Sequence, residues 1–308
     1  MRFFIVGAGG VGGYFGGRLA QAGEDVTFLA RGQHLTAIRD QGLRVDSVRG
    51  DFVVHPARVV SNVGEAGEVD CIIAATKTWQ LTEAAEMIRP LVGRGSLVLP
   101  LQNGVEAPAQ LAALLGGENV LGGVAKIFSY IEAPGHIRHV GGAASITFGE
   151  LDKRRTARVE RLLEVLSGAG IAAGIADDIA VAMWRKFLFV APLGGVGAVT
   201  RAPIGVIRSL AETRRLMEEG MREILCLARA EGIGLPEDAV AQTMAFVDTQ
   251  PAEGTSSLQR DIAEGRPSEL EAWSGAVVRL AAARGIDAPV HRFLYAALLP
   301  QQMRAVLR

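Results

Sequence analysis

The chain has 308 residues, which at about 150 residues per domain suggests two domains. Hydrophobic residues make up 49% and charged residues 21%, a balance that excludes a long disordered tail. Lys and Arg number 32 against 33 Asp and Glu, a net charge of −1, so the basic field that nucleic-acid binding uses is missing.

Two cysteines, Cys71 and Cys226, are too few and too far apart for a disulfide framework or a zinc site. Both read as packed thiols in a reducing compartment, and no metal-ligand set is expected. The apolar run after Arg2 is shorter than a signal-peptide core. The longest uncharged stretches, 3–17 and 187–200, are broken by glycines and too short to span a bilayer. The expectation is a cytoplasmic protein without a membrane partner.

In chain order, the first half alternates strand and helix patterns. Strands are predicted at 2–6, 25–30, 70–75 and 96–101, and helices at 10–22, 33–40, 79–88 and 156–167. A hairpin is predicted from 43–45 and 52–60. Short strand pieces are expected beyond Val120, with turns at Pro134-Gly135 and Gly141-Gly142, and a last run at 171–175. Alternation of this kind implies an α/β fold with a doubly wound, mostly parallel sheet. Past Asp177 helical periods take over, at 179–191, 210–231, 239–248, 258–263, 269–284 and 289–299, which predicts an all-α second domain. Leu210, Met217, Met221, Ile224 and Leu225 form an apolar stripe on the long helix. Core packing is the first reading of that stripe and a homodimer interface the second.

Glycine is in excess, 38 residues or about 12% against a usual ~7%. Part of the excess is Gly7-Ala8-Gly9-Gly10-Val11-Gly12, which fits G-x-G-x-x-G directly after a strand and at the opening of a helix. In that context the pattern is the dinucleotide fingerprint of a Rossmann-type domain. Gly7 allows the tight turn, Gly9 lets a pyrophosphate approach the backbone, and Gly12 lets the helix pack on the strand. The amides of Gly10, Val11 and Gly12 open the helix, where an anion is favoured. At the end of the second strand an acid would select NAD, yet Arg31 stands there. A guanidinium suits a 2′-phosphate and points to NADP(H). A solvated surface arginine is the plain alternative. Residues 1–174 therefore read as an NADP-binding domain and 175–308 as a helical substrate and catalytic domain.

In the second half, Ile179, Met183, Lys186, Phe187 and Val190 share one helical face. A lysine inside an apolar stripe either snorkels to the rim or is held for function, since burial lowers an ammonium pKa towards a range useful for proton transfer. Arg185 points away from that stripe. Downstream, Ser268 and Glu271 stand at capping-box spacing, which makes Glu269 the first helical residue. A glutamate there is also ordinary helix stabilisation. Ser256-Ser257 reads as an N-cap before the next short helix.

Together the glycine turn, Ala75-Thr76-Lys77-Thr78-Trp79-Gln80, Gln102-Asn103-Gly104, Trp184-Arg185-Lys186, and Ser256-Ser257 followed by Asp261 and Glu269 resemble the ketopantoate reductase (2-dehydropantoate 2-reductase) family. The resemblance runs over almost the whole chain. It implies NADPH-dependent reduction of a 2-keto acid to a 2-hydroxy acid, in the route to pantothenate and coenzyme A. On the matching positions Lys186 would be the general acid, and Glu269 would bind the substrate hydroxyl and fix the lysine. Ser257 would hydrogen-bond the substrate. Asn103 and Lys77 would face nicotinamide and substrate, and Arg31 would take the 2′-phosphate. The family's second domain carries asparagines that this chain lacks, for its only three are Asn62, Asn103 and Asn119. Val190, Gly194 and Gly254 stand in their places, which predicts a less polar and roomier pocket. The alternatives are a related NADP-dependent 2-keto or 3-hydroxy acid dehydrogenase, or a non-catalytic NADPH-binding sensor.

Overall fold

A computed structural model describes residues 1–307. The chain divides into two units, Met1–Gln102 with Ala107–Ile179, and Asn103–Glu106 with Ala180–Arg308. The division at Ile179 falls inside a helix. A four-residue strap, Asn103–Glu106, leaves the first unit and belongs to the second.

The first unit begins β1 (Arg2–Val6), α1 (Gly10–Gln21), β2 (Asp25–Leu29), α2 (Gly32–Gln41). It continues β3 (Leu43–Ser47), β4 (Phe52–Val54), β5 (Arg58–Val60), β6 (Cys71–Ala74), α3 (Leu81–Ile88), β7 (Leu97–Pro100) and α4 (Ala107–Leu115). The long strands β8 (Leu121–Ala133) and β9 (His136–Glu150), then α5 (Ala157–Gly168) and β10 (Ala172–Ile175), complete it. The parallel sheet has the order β5-β2-β1-β6-β7. Its strands bury both faces, so they read as unbroken apolar runs. Phe3 and Ile5 point into one core, and Phe4 and Val6 into the other. Strand order reverses between β1 and β6, and ligands of such sheets bind beyond the carboxyl ends at that reversal.

Four expectations need correction here. Residues 52–60 are not one strand: β4 pairs with β3, while β5 joins β2 in the other sheet. Beyond Val120 the pieces fuse into one long β8–β9 hairpin turned at Pro134-Gly135. Gly141-Gly142 makes no reversal. The ladder shifts register opposite this point, and Gly142 takes φ +83° inside β9. A glycine with positive φ marks a bulge as readily as a turn. Cys71 is buried, and burial pushes its thiol well up, but Cys226 is exposed rather than packed.

The second unit is helical: α6 (Ile179–Thr200, its first residue in the first unit), α7 (Ile204–Ser209), α8 (Ala211–Ala230), α9 (Ala239–Thr249), α10 (Ser257–Ala263), a π-helical turn Glu271–Gly275, α11 (Ala276–Ala283) and α12 (Pro289–Val306). In α6 the charged pair Arg185 and Lys186 does not interrupt 22 residues of helix. By length and composition this helix could cross a membrane, contrary to the expectation that no stretch would. Of its most apolar window 61% is buried, as in a core helix. Phe187, Leu188 and Val196 are buried in the helical core, each stabilising it by roughly 1.5–3 kcal/mol. The α8 stripe is core: Met217, Met221, Ile224 and Leu225 are buried in the same cluster, while Leu210 is exposed.

Candidate active site

The glycine turn is built as its spacing requires. Gly7 has φ +93°, and a Cβ there would lie 2.9 Å from the Ala75 carbonyl and the Thr76 nitrogen. The turn therefore lies against the loop after β6, at the reversal of strand order. A Cβ at Gly9 would meet nothing within 4 Å, so open space borders the backbone where a ligand would approach. Gly12 faces the Gly7 carbonyl and the Ile5 side chain, which seats α1 on β1. Neither a side-chain cap nor an acid occupies the first turn of α1. The amides of Gly10, Val11 and Gly12 thus keep their anion-binding character, and these residues fit a dinucleotide pyrophosphate.

His34 holds this turn in place. Gly135 N–H donates to His34 Nδ1 at 3.0 Å, so the ring proton sits on Nε2, which donates to the Ala8 carbonyl at 2.8 Å. The sequence reading gave His34 no role. Its only signal was its place in the first turn of α2, next to Arg31.

Arg31 is the N-cap residue of α2 and is exposed. Its guanidinium pairs with Glu83 at 2.9 Å, so a 2′-phosphate would compete with a carboxylate for it. Lys77 follows β6, with its ammonium 5.6 Å from the centre of the Trp79 ring. Gln102, after β7, donates to Thr76 Oγ1 at 3.4 Å and leaves its own buried Oε1 without a partner.

In the helical unit three predicted residues come together. Lys186 is half-buried on α6 beside buried Met183 and Phe187, and Arg185 is exposed. Trp184 stacks edge-on against Phe187 at 5.9 Å. The Lys186 ammonium donates to Asn103 Oδ1 at 2.7 Å. Asn103 Nδ2 in turn donates to Glu269 Oε2 at 3.3 Å. Glu269 is 5% exposed, and a carboxylate so buried needs hydrogen-bond donors. A carboxamide fits between these groups because it accepts from a cation with one end and donates to an anion with the other.

Local structure around Glu269 differs from the expected capping box. Ser268 spends its amide and hydroxyl on Gln302 Oε1, at 2.9 and 2.7 Å. Helix begins only with the π turn at Glu271, where Gly275 N–H reaches back to the Leu270 carbonyl. Such turns recur at functional sites. Ser256 does cap α10, accepting from the Gln259 amide at 3.0 Å, and Ser257 is the half-buried first residue of that helix.

The roomier pocket is not found at Gly194. A Cβ there would lie 2.5 Å from Cζ3 of Trp273, so the indole fills the space that a larger side chain would use. Trp273 is buried, and its Nε1–H has no partner. A Cβ at Gly254 would lie 3.0 Å from the Pro251 carbonyl. Neither glycine therefore opens extra space.

The parallel sheet, its glycine turn and the separate helical unit with a hydrogen-bonded lysine–amide–carboxylate cluster define an oxidoreductase of the two-domain Rossmann class. Residues 3–153 match the family model "Ketopantoate reductase PanE/ApbA", and residues 178–302 match its C-terminal model. The chain belongs to the ketopantoate reductase family. It is 33% identical over 300 residues to the uncharacterized oxidoreductase YkpB of Bacillus subtilis, covering 97% of this chain and 98% of that one. A crystal structure of 2-dehydropantoate 2-reductase from Geobacter metallireducens is similar at 34% identity, with TM-score 0.91 and 97% and 99% of the two chains covered. The ternary structure of D-mandelate dehydrogenase with NADH and anilino(oxo)acetate has the same fold at 23% identity, with TM-score 0.91 and full coverage of both chains.

Proposed function

We propose that this protein is a cytoplasmic, NADPH-dependent reductase of 2-keto acids, converting 2-dehydropantoate (ketopantoate) to pantoate on the way to pantothenate and coenzyme A. The observation that carries the reading is the hydrogen-bonded line from Lys186 through Asn103 to Glu269. The cofactor, when bound, supplies the hydride. Gly7, Gly9, Gly10, Val11 and Gly12 would hold its pyrophosphate, and Arg31 would hold the 2′-phosphate in place of Glu83.

Reduction of a ketone builds negative charge on its oxygen. A cationic donor fixed beside that oxygen stabilises the charge and delivers the proton. Lys186 is that donor, and Asn103 fixes the direction of its Nζ. Glu269 accepts from Asn103 and from the substrate hydroxyl. Ser257 donates to the substrate.

A second reading keeps the chemistry and changes the substrate. The Trp273 ring against Gly194, and the apolar Val190, favour a 2-keto acid with fewer hydroxyls. A site without amide partners discriminates poorly for a hydroxyl. One assay tests both: NADPH oxidation against ketopantoate and a panel of branched and linear 2-keto acids. Turnover of ketopantoate is expected. Turnover of apolar keto acids alone moves the substrate, and tight NADPH binding with no turnover leaves a sensor.

A further inference from the structure

The strap that carries Asn103 is fastened at its other end. Glu106, three residues on, accepts from Arg279 Nη2 at 3.0 Å. The same guanidinium donates from Nη1 to Glu271 Oε2 at 2.7 Å and from Nη2 to the Glu271 carbonyl at 3.2 Å. Glu271 opens the π turn two residues after Glu269. Between the two fastenings Gly104 has φ +99°, and a Cβ there would lie 3.0 Å from the Ala272 carbonyl. Val105 packs on the helical core. Gly275 completes the arrangement, since a Cβ there would lie 2.8 Å from Glu271 Oε2 and 3.1 Å from Arg279 Nη1.

Resting on the reading of Lys186 as proton donor, we propose that Arg279 is a positioning residue: by tying Glu106 to Glu271 it fixes Asn103 against Glu269 and so sets the direction of the Lys186 ammonium. A planar fork that serves two carboxylates and a carbonyl at once suits arginine and not lysine. Stability is a poor account of this arrangement. Arg279 is 50% exposed and Glu271 56%, and exposed ion pairs stabilise little. Displacing a catalytic group by a fraction of an ångström, by contrast, lowers the rate steeply.

The test uses the full chain with Arg279→Met, Arg279→Lys, Glu106→Gln and the Arg279→Met/Glu106→Gln double variant. Three measurements are made: steady-state kinetics for kcat and KM, the melting temperature, and the acylation rate of Lys186 by an amine-selective reagent, followed by peptide mass spectrometry. In Arg279→Met, kcat falls about tenfold with KM for NADPH and melting temperature unchanged, and Lys186 acylates several times faster. Arg279→Lys recovers part of both, and the double variant is no worse than Arg279→Met, as for residues acting on one contact. Wild-type kcat and Lys186 reactivity in Arg279→Met, or additive losses in the double variant, overturn the proposal. If the wild type oxidises NADPH with no 2-keto acid, the functional reading fails, and the acylation rates still decide the role of Arg279.

Discussion

The Lys186 ammonium donates to Oδ1 of Asn103 at 2.7 Å, across 83 residues of chain. That bond settles the orientation of the carboxamide, because an ammonium can only donate and Nδ2 is left to face Glu269. General acid catalysis by a fixed group typically contributes 10²–10⁴-fold. Lys186→Ala is expected to lower kcat by about that range. Asn103→Ala, which removes this acceptor from the ammonium, loses about tenfold to a hundredfold. Steady-state NADPH oxidation measures both, and full activity in Lys186→Ala would end the mechanism.

His34 bridges the glycine turn and the β8–β9 turn through one neutral ring. Each of its two bonds contributes about 1 kcal/mol. His34→Ala is expected to weaken NADPH binding about tenfold with kcat at saturation unchanged. Fluorescence titration with NADPH gives the comparison.

Arg31 and Glu83 form an exposed pair, 63% and 60% accessible, that holds little stability and, on the proposed reading, bears on cofactor choice. Arg31→Ala is expected to cut the preference for NADPH over NADH about tenfold or more. Glu83→Gln removes the competing carboxylate and raises that preference. The ratio of kcat/KM for the two cofactors reads both effects, and an unchanged ratio in Arg31→Ala would remove Arg31 from the cofactor site.

Glu150, at the end of β9, is buried. Burial pushes its carboxyl up, but the bonds from Arg158 at 2.7 Å and Thr156 at 2.6 Å outweigh that and hold it below the usual carboxylate range. A lowered folded-state pKa means the stability is complete above the unfolded value of 4.5 and disappears as pH falls through the lower one. Arg158→Met is expected to cost about 2 kcal/mol near neutral pH. The difference from wild type narrows below pH 4.5, and denaturant melts at several pH values follow it.

The two thiols differ. Cys71 lies in β6 in full burial, with its thiol pushed up by that burial, whereas Cys226 is exposed on α8. A thiol reagent is expected to modify one cysteine in the native protein and both after unfolding. Cys226→Ser abolishes the native reaction and leaves NADPH oxidation intact.

Much of the fold was legible because its signals are local. The β1 run, the glycines of the turn and the apolar face of α6 each lie within one element, and period and turn chemistry reveal them. Lys186 stood out for the same reason, as a charge on an apolar stripe. What escaped depends on partners distant in sequence. Ser268 looks like a cap until Gln302, 34 residues on, takes its hydroxyl. Gly194 looks like empty space until Trp273 lies on it. The Gly141-Gly142 pair looks like a reversal because positive φ serves bulges and turns alike. Asn103-Gly104 carried a motif, but the strap's membership in the second unit gave no signal, since it is decided by what the strap touches.

That strap has a consequence for how the protein can be taken apart. The backbone passes from one unit to the other at Gln102, returns after Glu106, and passes again at Ile179. A single cut at 179 therefore yields an amino-terminal piece bearing Asn103 without its seat and a carboxy-terminal piece with Lys186 and Glu269 but no amide to join them. Each half is missing something that only the other's gene segment encodes. Grafting this helical half onto a foreign nucleotide-binding half would thus have to carry residues 103–106 along with it.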